Sequence, residues 1–263
     1  MSAAAGDQPA ANRGPWPDIV RFGAVTLAAS VPFWVAGSRG RLPAPLSSLP
    51  ISALGVAVPA AAAFALARRS GGMADLLAQF RPRGRSRLCG ATGWWIAAGL
   101  AATVPLAVNA FGQAWTAPDP AALGALALLY VAGAFGEEIG WTGYLQPRLV
   151  EATGSIVATA GLLGAYWLAW HLVPYLQTGQ SVDWVALQSA QLLLTRAAIV
   201  GLTAGSGGGV LLAVAYHALY NLAWWVLDHG GVAYDPVRST LVLLPVAAVA
   251  LVAGARGRSG PAG

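Results

Sequence analysis

The sequence predicts an all-α fold, a polytopic membrane helix bundle of about eight transmembrane helices. Three observations carry that expectation. Only 10% of the 263 residues are charged, against about 25% in soluble domains, so there is too little charge to cover a water-facing surface of this size. Hydrophobic residues make up 57% of the chain, and the mean hydropathy is +0.61. The apolar residues also gather into eight runs, most of them near the roughly 20 residues that a helix needs to cross a bilayer.

In chain order the runs cover about 19–36, 46–67, 91–111, 121–144, 156–176, 184–203, 210–227 and 240–253. Pro32, Pro50, Pro59, Pro105 and Pro245 lie in or beside them, a placement that membrane helices tolerate better than soluble ones. No internal repeat of the kind that many transporter folds carry is visible. The glycine-rich stretch 205–209 lacks Lys and any phosphate-loop spacing, and reads as a flexible turn. Residues 1–17, rich in Ala, Gly and Pro, have no apolar core of a secretory leader. They read as a tail, as do residues 255–263. Residues 18–254 read as one integral membrane domain, with its motifs between 136 and 221.

The formal net charge of +5 comes from Arg alone, since the chain has no Lys. Six Arg fall between residues 68 and 87, between two apolar runs. Such a loop reads as cytoplasmic and puts both termini on the cytoplasmic side of a plasma membrane. Arg39 and Arg41 then lie outside, against the trend. No nucleic-acid-binding motif accompanies the positive charge. The single cysteine, Cys89, excludes an internal disulfide framework and a thiolate metal cluster. The weight of Ala, Gly, Arg and Pro without Lys suggests a GC-rich bacterial genome.

Polar residues inside apolar runs are the candidate site, because ionisable groups within a bilayer face a cavity or a partner. The fourth run ends in Gly136-Glu137-Glu138-Ile139-Gly140-Trp141-Thr142-Gly143-Tyr144-Leu145. Adjacent helical residues point about 100° apart, so one glutamate aims into a site and the other at a neighbour or the interface. Trp141 is expected on the face of Glu137, four residues on. A carboxyl group in such surroundings suits a general base; a pair merely solvated at the membrane boundary is the bland alternative. The fifth run holds Trp167-Leu168-Ala169-Trp170-His171 and the seventh His217-Ala218-Leu219-Tyr220-Asn221. His217 and Asn221 share a face, about 6 Å apart along the axis. They suit either an oxyanion hole or helix packing. Arg196 lies inside the sixth run and should have a partner; Glu138 is the expected one, with snorkelling to the interface as the alternative. Counted at 1.5 Å per residue from the cytoplasmic end of each run, His171 lies at a depth of roughly 22 Å, against roughly 10 Å for Glu137 and His217. Either its helix begins outside the lipid or His171 stands off from the others.

The order Glu-Glu, Trp-x-x-x-His, His-x-x-x-Asn, each on a separate membrane run, resembles the CAAX-protease and bacteriocin-processing (CPBP, or Abi) family of intramembrane proteases. The resemblance implies that Glu137 activates water to attack a peptide bond and that Glu138 assists or orients. It implies that His171 positions water or substrate, and that His217 and Asn221 form the oxyanion hole. Trp141, Trp167 and Arg196 would support the cavity. Two positions depart from the family pattern. Thr142 stands where the first motif usually has Arg, and Trp167 where the second usually has Phe. Arg148 or Arg196 would have to supply the missing cation. The family has been described as both glutamate-dependent and metal-dependent. No cofactor is the favoured expectation here; if Zn²⁺ binds, Glu137, His171 and His217 would hold it. The implied partners are the lipid bilayer and a peptide or lipid-anchored protein substrate. A non-catalytic binding or immunity protein of the same fold, favoured by the lost Arg, and a Glu/His proton-coupled transporter are the alternatives.

Overall fold

The computed structural model describes residues 14–44, 49–81 and 90–258. Expectations resting on Cys89, on Arg83, Arg85 and Arg87, and on most of both tails fall outside the described residues. Among the described residues ten α-helices follow one another: α1 (Trp16–Gly37), α2 (Val58–Ser70), α3 (Met73–Ala78), α4 (Ala91–Ala107), α5 (Pro120–Glu138), α6 (Gln146–Thr153), α7 (Ile156–Gln177), α8 (Val182–Ser206), α9 (Gly209–His229) and α10 (Pro236–Arg258). A 3-10 segment, Ile51–Ala57, leads into α2, and a π-helix, Ile139–Leu145, joins α5 to α6. There is no strand among the described residues, and eight helical spans are long and apolar enough to cross a membrane. The chain is an all-α, multi-pass membrane protein.

Local chemistry sets the helix ends. The side chains of Asp119, Ser155 and Ser181 cap α5, α7 and α8 by accepting from the backbone N–H three residues on, at 3.0, 3.2 and 3.2 Å. Gly71, Gly154 and Gly207 end α2, α6 and α8 in the left-handed conformation that glycine adopts without steric cost.

Six helices close a ring, each against the next, in the order α1, α2, α5, α9, α8, α7 and back to α1. α4 packs outside on α9, and α10 outside on α8. The central position of α8 shows in its burial: 67% of its most apolar window is buried, against 28% for the first and last spans. Small residues let α10 come this close. A Cβ at Gly201 would stand 2.3 Å from the carbonyl carbon of Ala250, and one at Gly254 would stand 2.7 Å from the Gly201 carbonyl oxygen. This is small-residue packing, as membrane helices use where lipid gives no hydrophobic drive.

The two glycines around the paired glutamates do the same for α5. A Cβ at Gly136 would lie 2.6 Å from the Val56 carbonyl oxygen, and one at Gly140 2.5 Å from that of Pro59. The backbone of 56–59 therefore rests directly on this face of α5 and the π-helix, and fixes how they rotate about their axis.

Four expectations are corrected. The fourth span does not end near residue 144; it runs through the π-helix and α6 to Thr153, so the segment with Arg148 and Glu151 is helix, not loop. The eighth extends to a 23-residue helix around Pro245. Stretch 205–209 is packed: Val210 N–H donates to the Gln79 carbonyl at 3.1 Å, and a Cβ at Gly209 would meet that oxygen at 2.1 Å. α1 begins at Trp16 and α10 runs to Arg258, so the inner ends of both expected tails are helical.

Gly140→Ala is expected to lower stability by about 1–3 kcal/mol, the usual cost of overpacking. Gly133→Ala, on the same helix with nothing within 4 Å of a new Cβ, is expected not to lower it, since Ala is the better helix residue. Thermal unfolding of both variants in detergent measures the contrast.

Candidate active site

Glu138 lies at the end of α5 with its side chain fully buried. Such a carboxylate has to find hydrogen-bond donors inside the protein, and it finds four. Arg196 of α8 binds it in fork geometry, Nη1 to Oε2 at 2.8 Å and Nη2 to Oε1 at 2.9 Å. The Thr142 hydroxyl, one turn on, donates to Oε2 at 2.6 Å. His217 Nδ1 of α9 lies 2.9 Å from Oε1. A carboxylate paired with a guanidinium is an acceptor only, so the proton of that last bond belongs to Nδ1. The expected pairing of Arg196 with Glu138 is present, and Arg196, without exposure, does not snorkel. Arg148 goes elsewhere: it donates to the Tyr144 carbonyl at 2.8 Å and stacks 3.6 Å from the Tyr144 ring centroid.

Glu137 faces a different setting. Its Oε2 accepts the indole N–H of Trp167 at 2.9 Å. Its Oε1 stands 4.0 Å from His217 Nε2, beyond a direct hydrogen bond. Both glutamates are buried, Glu137 at 4% exposure and Glu138 at 0%, so neither is a solvated boundary pair. Their difference lies in partners: one carboxylate is held by four hydrogen bonds from three side chains, and the other keeps an edge open towards His217.

Trp167 belongs to both. Its N–H meets Glu137 while the Arg196 guanidinium carbon lies 3.9 Å from its ring centroid, a cation–π contact. This also answers the question of depth. Trp167, not His171, is the residue of α7 level with the carboxylates. His171 lies one turn further along, with its ring edge-on to those of Trp167 and Trp170 at 4.8 and 4.7 Å, and Nδ1 3.0 Å from the Trp167 carbonyl. Among the described residues no nitrogen of His171 comes within 4.0 Å of a glutamate oxygen. Asn221 lies one turn beyond His217, half-buried, with no hydrogen bond to its amide among the described residues.

Trp141 is not at the site. It turns from Glu137 to pack on Phe22 of α1 and Trp170 of α7, at 5.4 and 6.1 Å between centroids. The chain enters the π-helix directly after Glu138, so α-helical spacing does not carry Trp141 onto the face of Glu137. Two sets of hydrogen bonds were not anticipated, although Thr142 and Tyr220 stand inside the quoted motifs. The Thr142 hydroxyl was legible only as the residue four beyond Glu138. The other is the network above His171 and His217: Tyr220 donates to Gln191 Oε1 at 3.1 Å, Tyr234 to Gln188 Oε1 at 2.9 Å and also to Gln191.

Zn²⁺ needs three or four converging protein ligands. Among the described residues no three of His, Cys, Asp and Glu are grouped to hold a metal ion. Of the candidate set, His217 keeps Nε2 free while Glu138 holds Nδ1, and His171 stands off behind Trp167. As arranged here, Glu137, His171 and His217 do not form a three-ligand group for Zn²⁺.

Removing Arg196 strands a buried carboxylate, so Arg196→Met is expected to cost about 3–5 kcal/mol of folding stability. Adding Thr142→Arg to it, which restores a guanidinium one turn from Glu138 in the space vacated, is expected to recover part of the loss. Unfolding midpoints of the single and double variants in detergent decide this.

The match to known proteins falls on the same segment. Residues 119–223 match the family model described as type II CAAX prenyl endopeptidase Rce1-like, a stretch that holds every residue named at this site except Tyr234. No curated protein matches the chain. Through residues 119–223 this multi-pass protein is similar to the CAAX-protease type of intramembrane endopeptidase.

Proposed function

We propose that the protein hydrolyses a peptide bond in a membrane-associated substrate, a peptide or a lipid-anchored protein, with a water activated by Glu137. The observation that carries this is the inequality of the two glutamates. Glu138 is saturated by Arg196, Thr142 and His217. Glu137 keeps Oε1 open, 4.0 Å from His217 Nε2. A water hydrogen-bonded to both atoms at about 2.8 Å bends to about 90° across that gap, which makes it the natural nucleophile. Glu137 takes its proton as it attacks the carbonyl carbon and passes that proton to the leaving amine. His217, with Nδ1 held by Glu138, donates from Nε2 to the developing oxyanion, and the free amide of Asn221 is the second donor. With both ring nitrogens of His217 protonated, His217 and Arg196 balance the charge of the two buried carboxylates. His171 lines the approach for substrate. The reaction as proposed uses no metal.

The cation that Thr142 does not supply comes from Arg196, which removes the main reason to prefer a non-catalytic relative. We further propose a plasma-membrane location with both termini cytoplasmic. Arg148 approaches Asp18 at 3.8 Å and the Val210 N–H meets the Gln79 carbonyl, which brings the ends of α1, α3, α6 and α9 together, and Arg21, Arg81 and Arg148 lie in or beside these segments.

The test incubates wild type and Glu137→Gln in detergent with a pool of membrane-anchored peptides and reads new termini by mass spectrometry. Wild type is expected to cut and the variant to fall at least about 100-fold. A chelator is expected to leave cleavage intact. Cleavage that survives Glu137→Gln, or disappears with the chelator, overturns the mechanism.

A further inference from the structure

Four indoles in this bundle are buried to within 5% exposure beside Trp170: Trp94, Trp141, Trp167 and Trp225. The N–H groups of Trp94, Trp141 and Trp225 have no partner. Trp170 donates to the Ser30 hydroxyl at 2.6 Å, so burial in this protein leaves some indoles with an acceptor and others without. The N–H of Trp167 meets a carboxylate oxygen at 2.9 Å, while its ring carries the guanidinium that binds the second carboxylate. The usual Phe of the family motif offers the ring without the donor.

We propose that Trp167 is the positioning residue for both glutamates. Its N–H turns Glu137 so that Oε1, not Oε2, faces His217, and its ring face seats Arg196 on Glu138. The proposal rests on the reading of Glu137 as the water-activating base. It joins the two departures of this chain from the family pattern into one device. The cation has moved from the Thr142 position, four residues beyond Glu138, to α8. The aromatic under it has gained a hydrogen-bond donor that restrains the remaining carboxylate. Without that donor Glu137 retains only the 4.0 Å approach of His217, and its two oxygens become interchangeable by rotation about the last side-chain bond.

Full-length wild type, Trp167→Phe and Glu137→Gln are compared on a fluorescent farnesylated peptide ending in Cys-aliphatic-aliphatic-X. Trp167→Phe is expected to lower kcat about 10- to 100-fold, the worth of one hydrogen bond to a charged group. KM should stay within about twofold, because substrate contacts are untouched; the ring keeps Arg196 seated, so the unfolding midpoint should fall only by what the lost hydrogen bond to Glu137 costs, well short of the loss in Arg196→Met. An unchanged kcat in Trp167→Phe beside a dead Glu137→Gln overturns the proposal and leaves the base assignment standing. An active Glu137→Gln overturns the base assignment instead. A second measurement needs no turnover. The indole N–H resonance of Trp167 in nitrogen-labelled protein, assigned by its absence from Trp167→Phe, is expected to shift when Glu137→Gln replaces a charged acceptor by a neutral one. A resonance that stays in place also overturns the proposal.

Discussion

Glu138 and Arg196 meet at 2.8 Å with neither side chain exposed. In a bundle whose outer surface faces lipid, that pair cannot be stabilised by water, and each charge separately would be expensive to bury. The geometry that makes it tolerable is demanding: two parallel N–H···O bonds, a hydroxyl at 2.6 Å and an imidazole at 2.9 Å. These come from α8, from the π-helix and from α9. Three elements, two of them more than 40 residues beyond Glu138, are thereby registered on one carboxylate. The ring of six helices is the architecture that allows it, since it gives each of them a wall onto the same interior.

The pair also explains why adjacent glutamates behave as two different groups. Helical geometry turns them about 100° apart, and the surroundings do the rest. Glu138 points towards α8 and α9 and is consumed by structure. Glu137 points towards α7 and accepts one indole N–H. His217 stands between them with one nitrogen on each side, bonded to the first and 4.0 Å from the second. A rigid carboxylate thus fixes the imidazole, and the imidazole faces a carboxylate with an open edge. Positioning of that kind is set by the fold before any substrate arrives.

Much of this was legible in the sequence, for identifiable reasons. The eight spans follow from low charge and run length. The partner of Arg196 follows because few charged groups are available at membrane depth. Glu137, Glu138 and His217 are legible as polar residues in apolar runs. Trp141 misled because α-helical spacing was applied across a stretch that turns as a π-helix, and nothing in Ile139–Leu145 announces that to a periodicity argument. The level of His171 was misjudged for a related reason. The motif couples an aromatic with a histidine one turn away, and the sequence does not say which of the two reaches the carboxylates. The α6 extension was hidden because Arg148 and Glu151 look like a loop until Arg148 is seen lying over Tyr144.

The packing that holds α8 in place lies far from the motifs and yet belongs to the site. Arg196 reaches Glu138 because α8 runs through the centre of the bundle, and it does so because Gly201 and Gly205 let α10 rest on its outer side through Ala250, Gly254 and Gly257. On the opposite wall, Gly136 and Gly140 let the 56–59 backbone close on α5 and so set the direction in which Glu137 and Glu138 point. The glycines therefore carry no chemistry and still determine it. A side chain at Gly201 would displace the cation, and one at Gly140 would rotate the carboxylates. In both cases the four bonds to Glu138 would have to be rebuilt where no water can substitute for them.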